Sequence, residues 1–361
     1  MAQPKNKIKI LLLNPYLGLG GTEKIIVNFL NFLNVLKKYK TRIAIFNKRN
    51  SFFDVLINEK KIIDLNVNRA RNSFIQIWKT LKNEKPHFIF SNQREMNIII
   101  CVLNFFLNLK ATIILREAAP IDNIPKKNLN KKIYLFFLKF IYKSCNGIIF
   151  NSENTKKSFL SKGFTFKNHT IINNPLLIKS EKINLKKNSK IKTFITISRL
   201  DSQKNLFELI KIFHKYSIRN NNCQLMIVGS GILYNDIKNE IDKIKYKKKI
   251  ILINQTLNVE RYFKKADYYI SCSKSEGFGN SYIEALAFNL PIISMNNGGI
   301  LDIINKSSQG HIVNNENYLN FIASINMINR KNFAVLHPGL KKFDKNIIFN
   351  KYLGFILSCK N

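Results

Sequence analysis

Glu276 and Glu284 stand eight residues apart across a glycine turn, in the run SKSEGFGNSYIEALA at residues 273–287. The apolar spacing after Gly279 predicts a helix, so one acid lies in the turn and the other on the first turns of the helix. Carboxylates accept hydrogen bonds from sugar hydroxyls. Glycines let backbone approach a ligand, and a helix N-terminus attracts phosphate. The layout suits a site that grips a polyhydroxylated, anionic ligand. A helical glutamate is more often solvated surface, but Glu284 lies in an apolar helix close to the glycine turn.

Other groups fit the same chemistry. Arg199 and Lys204 flank the polar loop SRLDSQKN at residues 198–205, which follows a predicted strand and opens a helix. Two cations beside helix amides would neutralise a diphosphate, and arginine adds bidentate geometry. A solvated charged turn is the alternative. Gly20 and Gly21, in GGTE at residues 20–23, sit between a strand and a helix. The spacing is not that of a dinucleotide fingerprint, which leaves a tight turn capped by Thr22 or a backbone cradle for a diphosphate. Gly229 and Gly231 end another strand and fit either a plain turn or a nucleotide fold. Asn92 and the pair Arg116 and Glu117 follow strands in the first half. Glu117 fits a contact to an acceptor or to the reacting centre, and equally a structural ion pair.

What is missing narrows the chemistry. None of the five histidines has catalytic spacing, and no nucleophile elbow or P-loop is present. No D-x-D pair occurs, so a divalent metal bridging a diphosphate lacks its usual acidic ligands. The expectation is a site with no metal and no cofactor.

These groups must be carried by alternating strands and helices, which predict parallel α/β sheets. Strands are expected over residues 9–13, 41–46, 87–91, 112–115, 147–150 and 170–172, with a helix over 24–36. After the break at Asn173, Asn174 and Pro175, the lysine-rich residues 176–190 read as a linker. The alternation resumes with strands over 193–198, 224–228, 250–253, 268–271 and 291–294 and a helix over 205–216. A last helix is expected over 345–357. The plan is an N-terminal domain at 1–175, a C-terminal domain at 191–340, and a final segment at 341–361. Ligands of doubly wound sheets bind outside the carboxyl ends of the strands, where all the motifs above lie.

At 361 residues the chain suits two domains of about 150–200 residues each. Five scattered cysteines without a C-x-x-C pair predict free thiols in a reducing cytosol. No secretory signal is read at the N-terminus, and the apolar runs are shorter than the roughly 20 residues a membrane span needs. Lysine and arginine outnumber aspartate and glutamate by 59 to 22, a formal net charge of +37. Compositional drift toward Lys, Asn and Ile explains part of this excess. A surface so positive also seeks polyanions, and without a nucleic-acid module an anionic membrane is favoured over nucleic acid. Residues 126–143, opening on Lys126 and closing on Lys143, are basic and aromatic with no acid. They fit a buried helix with a lysine fringe or a membrane-surface helix.

Together these motifs resemble the retaining glycosyltransferases of family 4. The resemblance rests on Gly20 to Glu23, Ser198 to Asn205, Val228 to Gly231, Glu276 to Gly279 and Glu284 to Ala287. It extends through Ala266, Asp267, Pro291, Asn297 to Gly299, Asp302 and Gly310. It implies the GT-B fold, two Rossmann-like doubly wound domains facing a cleft. It also implies a UDP- or GDP-sugar donor in the C-terminal domain, and a final helix that crosses back to the first. By motif position, Arg199 and Lys204 would hold the diphosphate, and Glu276 would contact the donor sugar with backbone from Gly277, Phe278 and Gly279. Glu284 would bind the ribose, with Gly20, Gly21 and Gly229 on the phosphate side. Glu276, Arg199, Lys204 and Glu117 form the expected catalytic set, with Asn92 and Glu117 on the acceptor side.

Leu115 to Pro120, with Asn151 and Ser152, look like the branch that builds bacterial surface polysaccharides and lipid-linked oligosaccharides. A cytoplasmic enzyme, peripheral at the inner face of the membrane, is the corresponding expectation. Two departures from the family stand out. Many relatives carry a histidine near the acceptor where this chain reads Ser91, Asn92, Gln93 and Arg94, and Ile253 to Gln255 lack the usual glycine. The competing readings are a nucleotide-sugar epimerase on the same fold and a non-enzymatic basic scaffold.

Overall fold

The computed structural model describes residues 7–18, 20–49, 57–123, 128–178, 191–244, 249–256, 258–304, 309–314, 318–327 and 338–360. The first part of the chain runs β1 (Ile8–Leu13), α1 (Gly21–Val35), β2 (Tyr39–Ile45), β3 (Ile62–Asp64), α2 (Phe74–Glu84), β4 (Phe88–Asn92) and α3 (Arg94–Leu107). It continues through β5 (Thr112–Glu117), α4 (Asn128–Tyr142), β6 (Gly147–Phe150), α5 (Glu153–Leu160) and β7 (His169–Ile171). Then come β8 (Lys192–Ile197), α6 (Leu206–Arg219), β9 (Cys223–Val228), α7 (Tyr234–Asp242), β10 (Ile250–Ile253) and α8 (Glu260–Phe263). The chain ends with β11 (Tyr268–Ser271), α9 (Asn280–Ala287), β12 (Ile292–Met295), β13 (Gly310–Val313), α10 (Tyr318–Met327) and α11 (Lys345–Ser358). Two compact units divide it: Met1–Leu177 with Phe343–Asn361, and Ile178–Lys342. Most of the expected linker, residues 179–190, lies outside the described residues.

In the first unit seven strands pair in the order β3-β2-β1-β4-β5-β6-β7, every pair parallel. Parallel strands are buried on both faces, which explains the near-continuous apolar runs of β1, β4 and β5. One face carries α1 and α11, where the Phe29 ring lies 5.5 Å from both Phe349 and Tyr352. The other face carries α2 to α5 over Ile77, Met96, Ile100, Leu138, Ile141 and Phe159. Asp344 caps α11, its carboxylate accepting the amides of Asn346 and Ile347.

In the second unit six parallel strands run β10-β9-β8-β11-β12-β13, and α6, α7 and α10 bury one face around Phe194, Leu209, Phe213, Ile237 and Phe321. Both sheets start centrally, wind outward one way, then return and wind the other. The reversal falls between β1 and β4 in one unit and between β8 and β11 in the other. There the connections leave toward opposite faces, which opens a crevice at the carboxyl ends of the two strands.

Helix α4 is apolar nearly all round. Leu138, Ile141 and Tyr142 are buried against the sheet, while Ile133, Phe136, Phe137 and Phe140 are exposed. Lys126 and Lys127, the start of the expected basic helix, lie outside the described residues. All five cysteines are free and buried. Among the described residues no helix is long and apolar enough to cross a membrane.

Candidate functional site

In the second unit the loops after β8 and β11 meet at the reversal point. The loop after β8 folds into a 3-10 turn, Ser202–Lys204, because Asp201 caps it from the Gln203 amide at 3.1 Å. Asn205 ends the turn in the left-handed conformation and starts α6. Gln203 then stitches the two loops together. Its carbonyl accepts the Lys274 amide at 2.9 Å, and its side-chain amide donates to the Ser275 carbonyl at 2.5 Å. This placement aims Lys204 at Glu276. The ammonium donates to Oε1 at 2.5 Å, with only 12% and 14% of the two side chains exposed. Arg199 is different: its side chain is 68% exposed and pairs with Asp201 at 3.3 Å.

Glu276 is held from its other side by the loop after β12. Its amide donates to the Asn297 carbonyl at 3.0 Å, and it bridges to Gly298. A Cβ at Gly299 would stand 2.9 Å from the Glu276 carbonyl oxygen, so the glycine there permits this close packing. Gly279 precedes α9 at φ +90, and a Cβ there would lie 2.4 Å from the Tyr282 ring. Tyr282 is buried beneath the turn, donating to Ser271 at 3.1 Å and accepting from Asn297 at 2.6 Å. Burial, and after it the charge of Glu276, push the Tyr282 hydroxyl well above its ordinary pKa, so it stays a neutral donor. Glu284 sits half-buried on α9.

The Phe278 side chain is 1% exposed and belongs to the core. Gly229 is buried, and its amide donates to the Ile253 carbonyl at 2.9 Å. Its glycine is required by packing, since a Cβ would fall 1.9 Å from the Ser198 carbonyl oxygen.

In the first unit β4 and β5 run further than expected, to Asn92 and Glu117, and draw three polar residues into the sheet. Glu117 is therefore not a free acid at a strand end. Oε1 accepts from Tyr142 at 2.6 Å and Asn97 at 2.9 Å, and Oε2 accepts from Arg94 at 3.1 and 3.3 Å. Those four bonds fill the lone-pair capacity of a carboxylate, and the residue is buried. Burial disfavours the Arg94 cation, but Glu117, joined by Tyr142 and Tyr134, outweighs it and holds the guanidinium pKa above its ordinary value. Of the two readings of Glu117, the structural ion pair is the one present. Asn92 is likewise buried, donating to Asn14 at 2.6 Å and accepting from Arg116 at 2.8 Å. Arg116 also donates to Tyr352 at 3.0 Å and Asn174 at 2.6 Å, so it anchors α11 and the segment leaving β7. Asn92 positions the start of the glycine loop through Asn14.

Gly20 precedes α1 and Gly21 is its first residue, so Thr22 lies inside the helix and makes no cap. A Cβ at Gly20 would fall 2.1 Å from a Glu23 carboxylate oxygen, because that side chain folds back over the glycine. Gln93 donates to Glu23 at 2.7 Å from a left-handed backbone, φ +71, which costs a non-glycine residue about 1–3 kcal/mol. Gln203, Tyr282, Asn297 and Gln93 were not anticipated as site residues. Their signal was position alone, each lying within a few residues of a glycine or a charged candidate at a strand end.

The glycosyl transferases group 1 family model matches residues 178–345. The chain is 28% identical over 269 residues to an uncharacterized glycosyltransferase of Methanocaldococcus jannaschii, covering 66% of this chain and 64% of that one. It is 24% identical over 297 residues to the N-acetylgalactosamine-N,N'-diacetylbacillosaminyl-diphospho-undecaprenol 4-alpha-N-acetylgalactosaminyltransferase of Campylobacter jejuni, covering 77% of this chain and 78% of that one. Among solved structures, Anabaena HepE in complex with UDP and glucose superposes with a TM-score of 0.78 at 12% identity, covering 97% of this chain and 100% of that one. At that identity the likeness is one of fold, and the fold is the GT-B pairing of two Rossmann-like domains.

Proposed function

We propose that the chain, whose residues 178–345 match the glycosyl transferases group 1 model, is a glycosyltransferase that works as follows. It moves a sugar from a UDP- or GDP-sugar to a glycan or lipid-linked acceptor, with retention at the anomeric carbon and without a metal. The product belongs to cell-surface polysaccharide or oligosaccharide synthesis. The observation that carries this reading is the Lys204–Glu276 pair, locked at the strand-order reversal by Gln203. The acceptor class draws its support from the Campylobacter relative, whose name describes transfer onto a diphospho-undecaprenol-linked sugar.

Lysine has three N–H donors, and one is used on Glu276. The other two serve the leaving diphosphate as charge develops on it, a contact of the kind worth about 3–4 kcal/mol of barrier. Arg199, exposed and loosely paired, swings to the same diphosphate. Glu276 accepts from hydroxyls of the transferred sugar, and Lys204 keeps it oriented. Glu284 accepts from the ribose. Gly277 and Gly279 admit the sugar close to the backbone. The acceptor hydroxyl enters on the face the diphosphate leaves. Its proton passes to the departing phosphate oxygen, so the configuration is kept.

A thermal-shift screen across UDP-, GDP-, ADP- and CMP-sugars tests the donor. The expected result is stabilisation by one UDP- or GDP-sugar, followed by NMR of the product showing an α-linkage from an α-donor. Stabilisation by none of the four, or an inverted product, overturns the reading. Donor isomerised in the absence of acceptor identifies an epimerase instead.

A further inference from the structure

We propose that the outer face of α4, together with the C-terminal end of α3, is a docking surface for an anionic bilayer leaflet. This goes beyond the transfer reaction and is tested without any sugar donor. Phe136 and Phe106 are each 76% exposed, Ile133 is 61% exposed, and Phe105, Leu107, Phe137 and Phe140 join them at the surface. They are contiguous: the Phe105 ring lies 5.0 Å from Phe140 and 5.2 Å from Phe106. At 3.6 residues per turn, Ile133, Phe136, Phe137 and Phe140 form one stripe on α4. Lys132, Lys139 and Lys143 fall along one edge of that stripe, and Lys110 follows α3. From residue 96 to residue 116, and again from 123 to 152, the sequence contains no acid.

Charge decides the occupant. Exposed apolar patches of this kind mark binding surfaces. A second copy of the chain would bring an identical lysine edge against this one, and like charges disfavour that encounter. A leaflet with negative headgroups and an apolar interior complements both parts of the surface. The phenylalanines enter the acyl boundary while the lysine stems lie along it and lift their ammonium groups to the headgroups. The deeper stripe of Leu138, Ile141 and Tyr142 stays in the protein core, so docking requires no unfolding of α4.

The test is co-sedimentation of the full chain with phosphatidylcholine vesicles, with and without phosphatidylglycerol. The expected result is binding that requires phosphatidylglycerol. The pair Lys132→Gln and Lys143→Gln should weaken it about thirtyfold, near fivefold per lysine. The pair Phe106→Ser and Phe136→Ser should weaken it by about tenfold or more. An equal loss of charge elsewhere, Lys211→Gln with Lys238→Gln, should leave binding within about twofold if the patch and not the net charge is responsible. Circular dichroism checks that each variant is folded, which the exposure of every substituted residue favours. Three results would overturn the proposal: no vesicle binding by the folded chain, equal losses in the patch and control lysine pairs, or undiminished binding by the phenylalanine pair. A dimer in sedimentation velocity that the phenylalanine pair dissolves, without vesicle binding, would assign the surface to a second copy.

Discussion

Replacing Lys204 with methionine separates the two tasks assigned to it. The ammonium lies 2.5 Å from Glu276, and the two side chains are only 12% and 14% exposed. Removing one partner of a largely buried pair costs about 3–5 kcal/mol, and the residual solvent contact puts Lys204→Met near 3 kcal/mol. If Lys204 also stabilises the leaving diphosphate, turnover should fall about 10²–10³-fold. The informative variant is the double one, Lys204→Met with Glu276→Gln. It removes both charges and keeps both volumes, so stability should return to within about 1 kcal/mol of the parent. Turnover should not return, because the cation that meets the diphosphate is still absent. Thermal melts and steady-state rates on the two variants and the parent provide the assay. A double variant that regains both stability and rate would refute the reasoning and make the pair purely structural. So would a Lys204→Met protein that loses stability but keeps its rate within about threefold.

Three further outcomes follow from the geometry. Gly279→Ala places a Cβ 2.4 Å from the Tyr282 ring at φ +90, so it should destabilise the second unit by about 3 kcal/mol and raise KM for the donor. Glu117→Gln replaces a carboxylate that accepts four bonds and neutralises Arg94, and it should cost about 3–5 kcal/mol of stability in chemical denaturation. If Glu117 were instead a solvated acceptor contact, that variant would melt like the parent. Tyr142, Tyr269 and Tyr282 all hold their protons above the ordinary 10.0, chiefly through burial. The unfolded chain loses those protons first, so stability is complete below about pH 10 and falls above it. The loss is about 1.4 kcal/mol per tyrosine between pH 9 and 11, read as a shallower slope in Tyr269→Phe.

The parallel α/β plan was legible because the period of apolar residues switches repeatedly between strand and helix, and buried parallel strands appear as unbroken apolar runs. Strands 250–253 and 268–271 matched to the residue. Two strand ends were read short where polar residues continue the strand. Arg116, Glu117 and Asn92 read as loop because polarity signals exposure. In the fold each is buried by neutralisation or hydrogen bonding from residues distant in sequence, such as Tyr352 and Asn174. Local pattern cannot reveal a partner more than two hundred positions away, as Tyr352 is from Arg116. The same limit hid Gln203, whose bonds to Lys274 and Ser275 exist only once β8 and β11 lie side by side. Short β3 was missed because three residues carry too little periodicity to register.

The charge imbalance can be taken apart residue by residue. With 22 acids against 59 basic residues, several of the acids hold geometric positions. Asp344 caps α11, Asp201 caps the turn that aims Lys204, and Asp267 accepts the Thr193 amide at the start of β8. Glu84 pairs with Arg42, Glu117 with Arg94, and Glu276 with Lys204. Loss of an acid costs least on a solvated face, where little depends on it, and most at a cap or a buried pair. That accounts for a high net charge without any ligand. It does not account for where the apolar surface gathers. Val35, Ile75, Ile218, Ile232 and Met327 are exposed on separate elements, as drift toward apolar codons would scatter them. On α3 and α4 the exposed rings touch one another and carry lysines along a single edge. Scatter does not build a contiguous patch with a charged border, and the docking proposed for that surface accounts for it where composition does not.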